Sequence, residues 1–331
     1  MTVIDLHAHS IAPAALERMT AARPDFAPRL EEADGKRVLR QIGAGTQTIP
    51  TGLLEADQRI ADIDRQGIDI QVVSLLTSQF AYHLDGDIGA AFARIHNDAF
   101  IELAGQHPQR LAVFAHLPLQ DAAASVAEIE RIKRFPAIRG VNIGTNVRGV
   151  NLDDPALEPV WSALEAADLP IWVHPDHRSL GKLDRIQKYY LQNNIGNPLD
   201  TTIAIAIVIH GGILERHPNL RFGFSHGGGF AAYQIKRWDA GWERHAAARE
   251  HIPNPPSTYF ERLFFDTLAH DTSLRMLTTH VGWDQIVVGS DYPMSMGTDD
   301  PLAVVRELRL PKSDEQRITS GNAERFMRKV N

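Results

Sequence analysis

The 331-residue chain has no cysteine. Disulfides and thiolate metal sites are therefore excluded, and a metal held by this chain can take only nitrogen and oxygen ligands. It also lacks a surplus of positive charge. Lys and Arg number 34 against 41 Asp and Glu, a formal net charge of −7, and no basic run occurs. That speaks against nucleic acid or an anionic membrane surface as a partner. It does not exclude an anionic small molecule, because local arginines can outweigh the global sign. Long apolar runs are missing too: none reaches the ~20 residues that span a bilayer. The nearest, 201–214, carries His210 in its middle and reads as a buried helix with a hydrogen-bonded core histidine. The first residues show neither the basic region nor the apolar stretch of a signal peptide. The expectation is a cytoplasmic protein, free of membrane.

What is present is a large apolar fraction, 44%, arranged in a repeating order. Apolar, β-branched runs fall near 2–6, 69–75, 111–117, 138–143, 170–174, 220–225, 262–266 and 285–290. Between them, apolar residues recur every three or four positions, as in 91–104 and 155–167, which is helical spacing. Eight strand–helix alternations predict a (β/α)8 TIM-type barrel of the α/β class, formed by a single domain over 1–331. No Gly-x-Gly-x-x-Gly follows an early strand, which removes the usual reason to prefer an open doubly wound sheet. About 60 residues separate the first two strands, so 10–58 reads as a lid inserted at the catalytic face. A second long stretch runs from 175 to 219, and a third insertion, 230–260, carries Trp238 and Trp242 beside several charges.

Polar residues cluster where the strands end. Val3-Ile4 leads to His7 and His9, Leu169-Pro170-Ile171-Trp172-Val173 to His174, Leu220-Arg221-Phe222-Gly223-Phe224 to His226, and Gln285-Ile286-Val287-Val288 to Gly289-Ser290-Asp291. Residues i and i+2 of a strand share a face, so His7 and His9 can reach one ion. A His-x-His pair alone is a weak signal. Four histidines and an aspartate at four separate strand ends suit a divalent metal at the mouth of a parallel barrel. Asp291 fits two roles, ligand or proton acceptor, and a helix N-cap before Tyr292-Pro293 is the plainer alternative. Gly227-Gly228-Gly229 after His226 can leave amides free to bind an anion, or make a plain turn. His177, His116 and His270 are further candidates to face the pocket.

Together these fragments resemble the amidohydrolase superfamily. Within it they resemble the decarboxylase branch typified by 2-amino-3-carboxymuconate 6-semialdehyde decarboxylase. The likeness runs through 59–69, 107–110, 117–121, the His174 and His226 motifs, Trp242, Pro255-Pro256-Ser257, 289–293 and 320–323. The resemblance implies one zinc ion bound by His7, His9, His174 and Asp291, with His226 as the acid/base beside it. It implies a homodimer in which Arg237 reaches the neighbouring site and holds a substrate carboxylate. Gln47 stands where the family places a lid arginine, while His177 and Tyr189 lie where it has tryptophans; all three are candidate substrate contacts. The implied activity is zinc-dependent, non-oxidative decarboxylation of a carboxylated muconate semialdehyde or a hydroxy- or amino-aromatic acid. The alternative is a zinc-dependent hydrolase or hydratase of a small carboxylated substrate, and after that a non-catalytic zinc-binding scaffold.

Overall fold

The computed structural model describes residues 2–41, 45–176, 184–269 and 271–329. The first strand, β1 (Ile4–Ser10), is followed by three short strands outside the barrel, β2 (Arg29–Ala33), β3 (Lys36–Gln41) and β4 (Gly45–Thr48). The remaining barrel strands are β5 (Ile70–Leu75), β6 (Leu111–His116), β7 (Ile138–Ile143), β8 (Ile171–Val173), β9 (Phe222–Phe224), β10 (Phe264–Asp266) and β11 (Ile286–Val287). Each pairs in parallel with the next, in the order β1-β5-β6-β7-β8-β9-β10-β11. The ring closes where Leu6 N donates to Val288 O at 3.0 Å and His9 N to Tyr292 O at 2.7 Å. The eight-stranded parallel barrel predicted from the apolar runs is present.

The strands are buried on both faces because helices cover the outside. Inside, Ile4, Leu6, Val72, Phe114, Trp172, Phe264 and Val287 fill the barrel. Phe326, from the helix Asn322–Phe326, plugs this layer, with ring centroids 5.8 Å from Trp172 and 5.0 Å from Phe264. Gly223 is needed here: a Cβ on it would sit 2.4 Å from Trp172 Cε3. Trp172 in turn lies 6.0 Å from the His7 ring. An apolar floor therefore supports the polar strand ends from below.

Strands β8 to β11 are shorter than expected, and β1 runs further. β1 runs on to Ser10 because Ala8, His9 and Ser10 pair with Val73, Ser74 and Leu75. Its register slips between Asp5 and Ala8, a bulge of the kind that re-aims a side chain beside an active site. β11 stops at Val287 because the chain turns at Ser290 and Asp291, whose φ is +54°. The 201–214 run divides into the helices Asn197–His210 and Ile213–Arg216, broken at Gly212, whose φ is +69°. Among the described residues no helix is long and apolar enough to cross a membrane.

The 10–58 insertion holds the helix Pro13–Ala22 and the antiparallel sheet β2-β3-β4. A small core of Ile11, Leu16, Leu39, Ile49, Leu53 and Leu76 fixes it over the barrel mouth. Its last residues already belong to the next helix, Ala56–Gln66. The 230–260 insertion holds the helix Ala231–Arg244 and the short helix Pro256–Phe260, the first anchored by Trp242 Nε1 donating to Ile252 O at 3.1 Å.

Candidate active site

At the C-terminal mouth of the barrel, one donor atom from each of His7, His9, His174 and Asp291 lies within 4.8 Å of the other three, and all four residues are buried. His7 Nε2 is 3.3 Å from His9 Nε2, while Asp291 Oδ1 is 3.4 Å and 3.0 Å from those same nitrogens. Three donors at such spacings match the edges of a tetrahedron with bonds of about 2.0 Å.

The tautomers fit an ion as well. His7 Nδ1 donates to Asp266 Oδ2 at 2.6 Å, which leaves a lone pair on Nε2 facing the cluster. His174 Nδ1 donates to the Pro175 carbonyl at 2.8 Å, and its Nε2 is buried with no hydrogen-bond partner. A cation at the cluster would give the unpartnered His174 Nε2 a partner and draw the facing donors together. Burial lowers the His7 pKa, but the Asp266 hydrogen bond and the Asp291 charge outweigh it and raise the value. Burial, and then the charges of His226, His9 and His7, hold His174 well below its ordinary value. For Asp291, burial pushes upward, yet the hydrogen bond from His9 and the charges of His7 and His9 keep it below the usual carboxylate range.

His226 lies outside this group of four. Its ring centroid is 4.8 Å from His174 and 5.4 Å from His7, and its Nδ1 is 3.2 Å from Ser225 Oγ. Burial, followed by the charge of His7, pushes it down to about 4, so at neutral pH it is an uncharged imidazole. Both His226 (φ +55°) and Asp291 (φ +54°) occupy the left-handed region that non-glycine residues avoid. Such strain persists only where neighbours over-determine it. Asp291 N donates to His7 O at 2.8 Å, and His226 N donates to Asp266 Oδ2 at 3.0 Å.

The three glycines after His226 do not form an anion nest. Gly227 N donates to Asp266 Oδ1, Gly228 N to Ser225 O and Gly229 N to His226 O. Their role is close packing: a Cβ on Gly229 would lie 2.1 Å from Pro198 O.

A cavity of about 340 Å³ opens above the cluster, lined by His9, His174, His226 and Asp291 below and by Gln41, Gln47 and Tyr190 above. Gln47, on β4, thus faces the pocket. Tyr189 does not line this cavity and is 85% exposed. Its neighbour Tyr190 lines it instead, with Oη 3.3 Å from Ser295 Oγ. His177 and His270 lie outside the described residues. His116 is a core residue stacked 4.6 Å from Phe80, its Nε2 donating to Phe80 O at 2.9 Å, and burial pushes it down to about 4. His210 is hydrogen-bonded as expected, Nδ1 donating to Ala248 O. Arg237 is exposed on the helix Ala231–Arg244, makes no ion pair or hydrogen bond among the described residues, and does not line this cavity.

Sequence reasoning missed Asp266. It ends β10, orients His7, and accepts the amides of His226, Gly227 and Leu268. The available signal was its position, a further acidic residue at the end of an apolar strand. Asp266→Asn is expected to weaken metal affinity ~10–100-fold, the usual effect of losing such a partner; a competitive chelator titration reads it.

An amidohydrolase family profile matches residues 4–329. The 2-amino-3-carboxymuconate-6-semialdehyde decarboxylase of Dictyostelium discoideum is 30% identical over 283 residues, 84% of this chain and 78% of its own. The crystal structure of 5-carboxyvanillate decarboxylase from Sphingomonas paucimobilis superposes with a TM-score of 0.81 at 23% identity, covering 99% of both chains. Dihydroxybenzoic acid decarboxylase from Polaromonas sp. JS666, solved with manganese and the inhibitor 2-nitroresorcinol, gives a TM-score of 0.79 at 20% identity over 98% of this chain and 96% of its own. At those identities the two solved structures show the shared fold. The chain is an enzyme of the amidohydrolase family, in its decarboxylase branch.

Proposed function

We propose that this enzyme is a divalent-metal-dependent, non-oxidative decarboxylase acting on a hydroxy- or amino-aromatic acid or a carboxylated muconate semialdehyde. The observation that carries the reading is the buried convergence of His7, His9, His174 and Asp291, with lone pairs turned inward beside His226. These four residues would hold the ion, and three imidazoles with one carboxylate suit zinc. When bound there, a divalent ion polarises a substrate oxygen and stabilises negative charge on it.

Loss of CO2 needs a place for the electron pair of the broken bond. In a hydroxy- or amino-aromatic acid, a proton first adds to the ring carbon that bears the carboxylate. The C–C bond then breaks, its pair restores the aromatic ring, and the carboxylate leaves as CO2. The incoming proton originates in solvent. A neutral His226 relays it by accepting at one ring nitrogen and giving at the other, with Ser225 Oγ beside Nδ1. Asp291 is the second group able to hold a proton at this face. The test is chelation. Stripped enzyme is expected to release no CO2, and one equivalent of zinc per chain should restore release; turnover that survives full removal of metal would refute the reading.

We also propose a homodimer in which Arg237 serves the neighbouring site. Among the described residues no arginine or lysine lines the cavity. Arg237 is exposed and unpaired, next to Tyr233, which is 74% exposed, and arginines and aromatics are enriched at interfaces. Mixing inactive Arg237→Ala chains with inactive His174→Ala chains should restore part of the activity, because each heterodimer rebuilds one intact site. Mixed dimers that stay inactive would place Arg237 outside the neighbouring site.

A further inference from the structure

Beyond His226 the cavity continues into a second chamber of about 440 Å³. His226, Asn193, Asn197 and Met296 line both spaces, so the two adjoin, with the imidazole at their border. Either space alone falls within the ~300–1,000 Å³ range of a small-molecule site. The wall chemistry changes at the junction. Over the metal cluster the walls are imidazoles, amides and hydroxyls. In the second chamber they are largely apolar: Phe230, Ala232, Leu268, Met276 and Met296. Phe230, Met276 and Met296 are each about two-fifths exposed, apolar surface that a ligand would cover. Methionine is unbranched and polarisable, and adapts its shape to what it covers.

Asn193 and Asn197 stand at the junction and line both spaces. Asn193 lies in the π-helical turn Gln192–Gly196, and Asn197 opens the helix that follows it. Such turns are frequent at functional sites.

We propose that the second chamber is the subsite for an apolar arm of the substrate. On this assignment the substrate is an acid whose reacting unit lies over the metal cluster. An alkyl or aryl extension passes His226 and is covered by Phe230, Ala232, Leu268, Met276 and Met296. The position of the reacting unit rests on the decarboxylase reading; the arm subsite rests on the chamber alone.

The test uses the metal-loaded enzyme and salicylic acids carrying no chain, or an ethyl, butyl or hexyl chain, at each open ring position. Calorimetry gives Kd, and CO2 release gives kcat/KM. At one ring position Kd is expected to fall about fourfold for each added methylene until the chamber is full. Ala232→Trp, which fills the chamber, and Met276→Asn, which makes its wall polar at a partly exposed position, should each collapse the ratio between the hexyl and unsubstituted acids. A flat series, with the unsubstituted acid still bound and decarboxylated, overturns the arm subsite and leaves the decarboxylase reading standing. Chain-dependent Kd without CO2 release from any member keeps the arm subsite and removes hydroxy-aromatic acids from the decarboxylase reading. If none of the acids binds, both fall. If the chain dependence survives both variants, or if Ala232→Trp alters only self-association in sedimentation, the chamber does not hold the arm and the proposal is overturned.

Discussion

His174→Ala is expected to leave a folded barrel that neither retains its metal through dialysis nor releases CO2. The packing of this strand end comes from Trp172 and Val173, whose side chains stay in place, so the circular dichroism spectrum and urea midpoint should change little. The imidazole, by contrast, points its unpartnered Nε2 into the cluster. Without that donor the remaining three hold an ion poorly, and the several kcal/mol of charge stabilisation it supplies are lost. At ~4 kcal/mol that is roughly a 10³-fold fall in kcat/KM. Elemental analysis of the dialysed variant checks the first half and the CO2 assay the second. Full metal content with normal turnover would remove His174 from the ligand set.

His226→Ala should separate chemistry from metal binding. His226 stands outside the four-residue group and meets it only through ring contacts. The variant is expected to keep one metal per chain and lose ~10²–10⁴ in kcat, the usual contribution of a positioned proton carrier. KM should move little, because the loss falls on the transition state rather than on ground-state binding. An unaltered kcat would show that another group carries the proton.

The metal-binding cluster was legible because each member ends an unbroken apolar run, and a parallel barrel gathers all such ends at one mouth. His7, His9, His174 and Asp291 could be read that way without knowing a single contact. Asp266 could not be ranked, since its value comes from a hydrogen bond across 259 positions to His7. The glycines after His226 were ambiguous for a related reason. Sequence shows that a Cβ is unwelcome there, while only the fold shows that Phe265 and Pro198 occupy the space. Tyr189 and Tyr190 both carry positive φ, about +60°. Which of two adjacent tyrosines faces the pocket depends on that irregular backbone and not on any periodicity. The sheet β2-β3-β4 went unread within the insertion because its strands alternate weakly and are mostly exposed. The plug formed by Phe326 depends on where the last helix returns, and apolar spacing alone does not say so.

The most direct test follows the carbon that loses its carboxylate. With a turned-over hydroxy- or amino-aromatic acid in D2O, NMR of the product should show one deuterium at the vacated ring position, with one CO2 released per turnover and none after chelation. A product that keeps its carboxylate and gains the elements of water elsewhere would contradict decarboxylation and make the enzyme a hydrolase or hydratase.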